Sequence, residues 1–225
     1  MKKPAAHMIK KHVRTARGRP VASTLWLQRQ LNDPYVALAK KEGYRARSAF
    51  KLIELDDKFG FLKPGKCVVD LGAAPGGWTQ IAVERVKSTP ENPTVVGLDL
   101  LEMDALPGAK TTQLDFLDDT APDVLKEMLG GRKADVVLSD MAPNTTGMKN
   151  TDHLRIMYLL ETAYAFACEI LNPGGTFVAK IFQGGTEGQL LAEMKRRFET
   201  VKHAKPPASR KESSEFYVVA LGFKG

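Results

Sequence analysis

The stretch Val69-Asp-Leu-Gly-Ala-Ala-Pro-Gly-Gly-Trp78 decides the fold of this chain. Residues 67–71 form a short apolar run typical of a buried strand, residues 72–77 are rich in glycine and proline, and residues 78–86 have a helical pattern. A strand that turns through glycines into a helix begins a βαβ unit, and such glycines let the backbone approach a ligand closely. The stretch therefore predicts a parallel sheet with a binding site at the end of its first strand.

The same alternation of strands and helices continues along the chain. Further strands are predicted over 94–99, 111–114, 134–139, 175–182, 200–204 and 216–221, and helices over 35–41, 48–59, 123–129, 153–171 and 187–198. This order predicts an α/β, Rossmann-like fold: a mostly parallel seven-stranded sheet with helices on both faces. The last two strands are joined without a helical pattern, which favours a hairpin and one antiparallel edge strand.

Length and composition indicate one globular domain without disulfide or metal cross-links and without a membrane span. The chain has 225 residues, of which 43% are hydrophobic and 26% charged. Its two cysteines lack a CxxC spacing and its four histidines are scattered, which argues against a disulfide framework and a metal site. No apolar run reaches the roughly 18 residues of a membrane helix, and the N-terminus lacks the apolar region of a secretory signal. We expect no metal, no membrane and a monomer.

The positive charge is concentrated in the N-terminal quarter of the chain. The net charge is +7, yet residues 1–51 hold 13 Lys/Arg against 2 Asp/Glu, and the remainder holds 20 against 24. A second basic cluster lies at 195–211. This asymmetry is typical of a protein that binds a polyanion such as nucleic acid. A solubilising tail and a mitochondrial presequence are alternatives. We predict a basic, disordered arm over 1–25 and a catalytic domain over 26–225.

Acidic residues follow three successive strands, where ligands bind in open α/β sheets. Asp99 ends the second predicted strand and is suited to accept both hydroxyls of a ribose, and Asp115 is suited to accept from an adenine amino group. Because G-x-G-x-x-G is absent and Pro75 stands where the helix would open to a pyrophosphate, a nucleoside without phosphates fits better than a dinucleotide. S-adenosylmethionine is the candidate, with Asp70 and the backbone of Gly72 facing its amino-acid tail. The alternative is a glycine-rich turn without a ligand.

Four motifs resemble the FtsJ/RrmJ (RlmE) family, and the similarity covers about 26–222. They are Val69-Asp-Leu-Gly-Ala-Ala-Pro-Gly-Gly-Trp78, Ser139-Asp-Met-Ala-Pro-Asn144, Phe177-Val-Ala-Lys-Ile-Phe-Gln-Gly184 and Ser214-Glu-Phe-Tyr-Val-Val-Ala220. The resemblance implies a cytoplasmic, S-adenosylmethionine-dependent methyltransferase that acts on a ribose 2′-oxygen of RNA, with a uridine of 23S rRNA in the large ribosomal subunit as the expected target. The same chemistry on tRNA or an mRNA cap, and a non-catalytic RNA-binding ribosome-assembly factor, stay open as alternatives. A dehydrogenase is disfavoured because the dinucleotide motif is missing.

The resemblance also assigns roles to individual residues. Matched by motif, the family's catalytic tetrad falls on Lys51, Asp140, Lys180 and Glu215. The resemblance implies cofactor contacts at Gly76, Trp78, Asp99, Asp115 and Asp140, and the glycine turn itself adds Asp70, Gly72 and Gly77 to the expected cofactor-binding residues. The alternative for Trp78 is a packing role in the core. The chain departs from the family pattern in a longer basic arm and in a proline-containing stretch at 87–93, which leaves the role of the arm open.

The expected reaction is the attack of a ribose hydroxyl on a methyl group carried by a sulfonium. A nearby base assists a weak nucleophile, and lysine serves as one when burial and neighbouring cations disfavour its ammonium form. We therefore expect Lys180 to be the general base, Lys51 the neighbouring cation, Asp140 the residue that orients Lys180, and Glu215 a holder of one lysine. In the rival mechanism both lysines stay protonated and stabilise the developing alkoxide.

Basic residues outside the tetrad are the expected RNA contacts, because neutralising phosphates drives RNA binding. They are Lys40, Lys41, Arg45, Arg47, Arg196, Arg197 and Arg210. Tyr44 is either a stacking platform for a base or a core residue.

Overall fold

Helices and strands alternate along most of the chain in the computed structural model, which describes residues 20–143, 148–182 and 188–225. The helices in these ranges are α1 (Val21–Leu31), α2 (Pro34–Glu42), α3 (Ala49–Phe59), α4 (Gly77–Val86), α5 (Ala121–Leu129), α6 (Lys149–Ile170) and α7 (Gly188–Arg197). The strands are β1 (Val68–Leu71), β2 (Val95–Asp99), β3 (Ala109–Gln113), β4 (Ala134–Ser139), β5 (Leu171–Phe182), β6 (Phe198–Ala204) and β7 (Glu215–Phe223). Each predicted element is present, with its ends shifted by a few residues.

The seven strands form one sheet in the order β3-β2-β1-β4-β5-β7-β6. Strands β1 to β5 pair in parallel, and β7 runs antiparallel to both of its neighbours. The predicted hairpin of β6 and β7 is confirmed, but the expectation that the antiparallel strand lies at the edge is wrong. Residues 217–220 of β7 are all buried, which suits an interior strand, whereas β6 exposes Glu199, Lys202 and His203 and suits the edge.

Apolar side chains fill both faces of the sheet, as the predicted fold requires. One core cluster contains buried residues of α5, α6 and α7, and the other contains buried residues of α3 and α4. Tyr44 packs edge-on against Phe50 in the second cluster, with ring centroids 5.4 Å apart, which supports its interpretation as a core residue. Among the described residues, no helix is long and apolar enough to cross a bilayer.

The helices before the sheet begin and end at residues with capping chemistry. The side chain of Asp33 accepts a hydrogen bond from the Tyr35 amide at 3.0 Å at the start of α2, and Gly43 ends that helix in the left-handed conformation. Helix α1 begins at Val21, so the domain boundary expected between residues 25 and 26 falls inside a helix. Residues 1–19 of the expected arm lie outside the described residues.

Candidate active site

The carboxyl ends of strands β1 to β4 open into a cleft of about 570 Å³. It is lined by Gly72, Ala74, Leu98, Asp99, Leu100, Leu101, Asp115, Phe116, Leu117, Asp140, Met141, Ala142, Pro143, Arg155, Tyr158 and Leu159. Parallel strands place such a cleft here because their carboxyl ends and the loops that follow meet at one edge of the sheet. The predicted position of the ligand site therefore coincides with a real cavity.

Two carboxylates on the cleft wall also organise the surrounding loops. Asp99 accepts hydrogen bonds from the amides of Ala74 at 2.9 Å and Leu101 at 2.8 Å, and Asp115 accepts one from the amide of Leu117 at 3.0 Å. A carboxylate offers about four lone-pair positions. Both side chains therefore retain acceptor capacity toward the cleft after binding the amides of the surrounding loops.

The glycine turn after β1 is closed against the loop that follows β4. Gly72 has a φ of 80°, and a Cβ on it would lie 2.8 Å from Cγ and 3.0 Å from the amide nitrogen of Met141. Only glycine adopts this conformation freely and leaves room for the neighbouring backbone. The close approach brings the turn and the β4 loop together as one wall of the cleft.

Asp70 lies beneath this turn and away from the cleft surface. It is fully buried, and its Oδ2 accepts a hydrogen bond from the Thr79 hydroxyl at 2.7 Å, while Oδ1 has no hydrogen-bond partner among the described residues. Burial, together with the charges of Asp140 and Asp99, raises the pKa of Asp70 to about 7 despite the bond from Thr79. The expectation that Asp70 faces a ligand is corrected: its carboxyl group faces the interior.

The start of helix α4 packs against α3 and lies outside the set of described residues that line the cleft. Gly76 precedes the helix with a φ of 106°, and Gly77 sits against the Ser48 side chain. Trp78 is buried, its indole nitrogen donates to the Ser48 carbonyl at 2.9 Å, and its ring lies 5.5 Å from that of Tyr217. The structure thus gives Trp78 a packing role where a cofactor contact was expected.

The four expected tetrad residues lie close together, and one of them, Asp140, also lines the cleft. Lys180 Nζ lies 2.9 Å from Asp140 Oδ1 and donates to the Asp140 carbonyl at 2.6 Å. Lys51 Nζ on helix α3 lies 2.6 Å from Glu215 Oε1 on β7. The two ion pairs thus join residues 40 and 164 positions apart in sequence, contributed by α3, β5, β7 and the end of β4.

The sheet register explains how these residues meet. Ser139 pairs with Ala179 across β4 and β5, so the next residue of each strand, Asp140 and Lys180, comes alongside. Lys180 pairs in turn with Tyr217 on β7, and Glu215 lies two positions from Tyr217 on the same face. A one-residue slip of either strand pair would turn these side chains to the opposite face.

Tyr217 joins the two ion pairs and was missed in the sequence analysis. Its hydroxyl donates to Asp140 Oδ1 at 2.7 Å, accepts from Lys51 Nζ at 3.2 Å, and lies 3.4 Å from Glu215 Oε1. Because Tyr217 stands within an apolar run, the sequence alone predicts that it is a core residue. The available signal was its place two residues after Glu215, which puts both side chains on one face of β7.

Burial and charge together tune the polar groups of the cluster. The exposed side-chain fraction is 8% for Lys180 and 16% for Asp140. Burial disfavours ionisation of Asp140, but Lys180, Lys51 and the Tyr217 hydroxyl outweigh it and keep the pKa of Asp140 below its usual value. Burial and the two carboxylates raise the pKa of Tyr217 well above its usual value. The cluster therefore presents two amines held by an ionised aspartate, a glutamate and a neutral phenol.

A second, more basic groove reaches the tetrad from the side of α1 and α3. It measures about 370 Å³ and is lined by Arg29, Arg47, Lys51, Arg210, Glu212, Ser213 and Glu215. Arg47 Nε lies 2.9 Å from Asp33 Oδ2, Arg210 lies 3.3 Å from the same oxygen, and Arg47 also donates to the Ala208 carbonyl. The structure thus brings two of the expected RNA contacts together around one carboxylate.

The other expected RNA contacts lie in different places. Lys40 and Lys41 are exposed at the end of α2, and Arg45 donates to the carbonyls of Asp104 and Ala105. Arg196 and Arg197 belong to α7 near the β6 edge of the sheet, where Arg197 lies 5.1 Å from the Phe223 ring centroid. The described residues contain no group of His, Cys, Asp and Glu side chains that would hold a metal ion.

Comparisons with known proteins identify the family of this chain. The model of the "FtsJ-like methyltransferase" family matches residues 44–223. A "Ribosomal RNA large subunit methyltransferase E" of Paramagnetospirillum magneticum is 65% identical over 95% of this chain and 88% of its own length. One of the same description from Rhodopseudomonas palustris is 58% identical over 100% of this chain and 95% of its own length.

A solved structure extends the similarity to the fold. A Plasmodium falciparum protein described as a ribosomal RNA methyltransferase superposes with a TM-score of 0.71 at 35% identity, covering 81% of this chain and 100% of that one. The family model covers residues 44–223, which is 180 of the 225 residues of the chain. This chain belongs to the FtsJ-like methyltransferase family.

Proposed function

We propose that this protein transfers a methyl group from S-adenosylmethionine to a ribose 2′-oxygen of ribosomal RNA, at a uridine of 23S rRNA in the large subunit. The relatives described above carry large-subunit rRNA in their names, which supports the class of substrate. The observation that carries the chemistry is the convergence of Lys51, Asp140, Lys180 and Glu215 beside the strand-end cleft. We further propose that the protein acts in the cytoplasm as a monomer without a metal.

The chemistry of the cleft supports a nucleoside donor. Asp99 and Asp115 offer free acceptor positions at adjacent strand ends, and Leu98, Phe116 and Leu101 supply apolar wall between them. A ribose and an adenine need such acceptors beside an apolar surface. When bound, S-adenosylmethionine supplies an activated methyl group on a sulfonium. The cleft reaches Asp140, so a donor held there brings that methyl group to the tetrad.

In this proposal the chain's own residues align the hydroxyl and take up its proton. In its neutral form, Lys180 Nζ would receive the proton of the 2′-hydroxyl as that oxygen bonds to the methyl carbon, and the demethylated donor would leave as a neutral thioether. Asp140 holds Lys180 through its carboxylate and its carbonyl. Lys51, held by Glu215, places a second positive charge next to the oxygen. Positioning of this kind supplies a large part of such a rate enhancement.

The contacts of Lys180 also support the rival mechanism. Two oxygens of Asp140 lie 2.9 and 2.6 Å from Nζ, which is the environment of an ammonium donor. In that case both lysines stabilise the developing alkoxide and the proton leaves to solvent. The two mechanisms differ in what an arginine at position 180 can do, because arginine keeps the charge and cannot act as a base.

The groove of Arg29, Arg47 and Arg210 supports an approach of RNA from the side of α1 and α3. It ends at Lys51 and Glu215, whereas the cleft for the donor ends at Asp140. The two openings meet at the tetrad from different directions. This arrangement lets a phosphate backbone lie in one opening while the donor occupies the other.

The test supplies tritiated S-adenosylmethionine with large ribosomal subunits, free rRNA and tRNA, followed by mapping of the labelled nucleotide. We expect label on one ribose of 23S rRNA, and its loss when that ribose is replaced by deoxyribose. Label on tRNA would replace the proposed substrate. Binding of RNA without any label would favour a non-catalytic assembly factor.

A further inference from the structure

Arg45 was expected to contact RNA, but its side chain is bound to the loop that forms one wall of the cleft. Nη1 donates to the Asp104 carbonyl at 2.7 Å and Nη2 donates to the Ala105 carbonyl at 2.8 Å. Both carbonyls belong to the segment 100–108 between β2 and β3, which is here called the wall loop. The wall loop also contributes Leu100 and Leu101 to the lining of the cleft.

The wall loop is anchored at its beginning by Asp99, whose Oδ1 accepts from the Leu101 amide at 2.8 Å. It contains no helix or strand, and residues 100–102 and 104–105 are exposed. A loop of this kind has little packing to fix its shape, so side-chain bonds to its carbonyls decide its position. Arg45 supplies two such bonds in the middle of the loop, three residues or more beyond the anchor at Leu101.

The backbone around Arg45 is itself held in place. Its amide donates to Gln80 Oε1 at 2.7 Å, and Gln80 Nε2 donates to the Gly43 carbonyl at 3.2 Å. Gln80 belongs to α4, the helix that follows the glycine turn. The backbone of Arg45 is thus fixed to α4, the helix that follows the glycine turn, and the guanidinium extends from there to the wall loop.

Gly76 leaves the space through which Arg45 passes. A Cβ at this position would lie 2.8 Å from both Cδ and Nη1 of Arg45 and 3.1 Å from Sδ of Met103 in the wall loop. The absence of a side chain at the glycine turn thus allows the arginine and the loop to meet there. This close packing is a second observation, independent of the hydrogen bonds, that links the glycine turn, Arg45 and the wall loop.

We propose that Arg45 is a positioning residue for the methyl donor: it fixes the wall loop against the glycine turn and so sets the shape of the nucleoside end of the cleft. The proposal rests on the proposed function, because it assumes that S-adenosylmethionine occupies this cleft. Arg45 acts through the wall loop and touches neither reacting atom. Its role thus differs from that of Arg47, which lies in the groove beside Lys51.

The test compares R45A, R45K and K63A with the wild type by titration calorimetry with S-adenosylmethionine and by filter binding with 23S rRNA. Lys63 is an exposed lysine between α3 and β1 and is not among the expected RNA contacts, so K63A removes one positive charge outside the wall loop. For R45A we expect the Kd for S-adenosylmethionine to rise about tenfold, the order expected for two lost charge-assisted hydrogen bonds. For K63A we expect this Kd to be unchanged.

R45K separates shape from charge, since lysine keeps the charge but cannot span two carbonyls with a planar fork. We expect R45K to bind S-adenosylmethionine more weakly than wild type and to bind RNA as wild type does. Hydrogen exchange over 100–108 should speed up in R45A and R45K. If R45A does not fold, R45K and its exchange pattern decide the question.

The outcomes distinguish this inference from the proposed function. If the wild type binds no S-adenosylmethionine, the proposed function fails and the inference with it. If the wild type binds it and R45K binds it equally well, only the inference is overturned, whether or not RNA binding by R45A is weakened. A raised KM for S-adenosylmethionine in R45K at unchanged KM for RNA supports it.

Discussion

The strand-end cleft and the groove beside α3 use charge in different ways. In the cleft, Asp99 and Asp115 stand at the ends of strands and accept hydrogen bonds from the amides of the residues two positions on, and Asp99 also binds the Ala74 amide in the neighbouring glycine turn. In the groove, Arg47 and Arg210 share Asp33, and the second of these pairs spans 177 positions of sequence. The cleft therefore follows from local topology, whereas the groove depends on tertiary pairing. Four predictions test this difference, in order of decreasing effect.

Replacement of Lys180 addresses the point at which the two regions meet. K180M should lower kcat by about a thousandfold, within the range reported for a general base, while S-adenosylmethionine binds with unchanged affinity. Methionine keeps the length of the side chain without its charge. The measurement is single-turnover methylation of rRNA, with calorimetry of the methyl donor as the control.

K180R then separates the two mechanisms. A general base predicts that K180R is as inactive as K180M over the whole pH range. Activity of K180R near the wild-type level at pH 7 would contradict the base role and support a protonated lysine.

Replacement of Asp70 tests how strongly the protein interior beneath the glycine turn disfavours a charged carboxylate. Its pKa is about 7 in the folded protein, against about 3.9 for a free side chain. The folded state therefore keeps a proton that the unfolded state releases as the pH rises from 4 to 7, so the free energy of unfolding falls over that window. D70N stays neutral and should match wild type near pH 4 but exceed it by roughly 2–4 kcal/mol above pH 7.

The measurement for D70N is urea denaturation between pH 4 and pH 8. A difference in unfolding free energy that does not change with pH would show that packing or hydrogen bonding, not ionisation of Asp70, separates the two proteins. The bond from Thr79 remains possible in D70N because the amide oxygen accepts it.

Tyr217 connects the cleft to the groove, since it contacts Asp140 on one side and Lys51 on the other. Y217F should lower kcat about tenfold, because a buried charged acceptor loses its hydroxyl donor. The ring remains packed on Trp78, so the fold is retained. Thermal denaturation serves as the control, and a kcat within twofold of wild type would contradict a link between the two ion pairs.

Asp33 is expected to give the smallest effect. D33N frees one positive charge in the groove and should tighten RNA binding at low salt about threefold. The slope of the logarithm of the binding constant against the logarithm of the salt concentration should become steeper by about one, as for one additional phosphate contact. Asparagine caps a helix about as well as aspartate, so α2 should keep its stability. D119N, which adds the same charge at an exposed position beyond β3, is the matched control. Weaker RNA binding by D33N would mean that Asp33 serves mainly to orient Arg47 and Arg210.

Most of the fold could be predicted because each element carries its own apolar pattern. The strand over 134–139 and the helix ends at Gly43 and Gly60 depend on local chemistry alone. The place of β7 could not be predicted in this way. Whether a strand lies inside or at the edge of a sheet depends on which neighbours bury it, and in the sequence only the apolar run 216–221 hinted at the answer.

The candidate site divides along the same line. Asp99, Asp115 and Gly72 were found from strand ends, and the tetrad was found from motifs. Trp78 and Asp70 are predicted to contact the ligand but are buried, because the sequence shows that a residue adjoins a turn but not which way its side chain faces. The sequence predicts Arg45 only as an RNA contact, because its carbonyl partners 59 and 60 residues away leave no pattern in the sequence.

The place of β7 between β5 and β6 has a consequence for synthesis of the protein. Glu215 and Tyr217 both come from this strand, which is translated after both of its neighbours. A nascent chain that stops before residue 215 has an open edge on β5, an unpaired Lys51 and no phenol beside Asp140. The segment 215–223 therefore completes both the sheet and the candidate tetrad, and a translation product that ends before it lacks Glu215 and Tyr217.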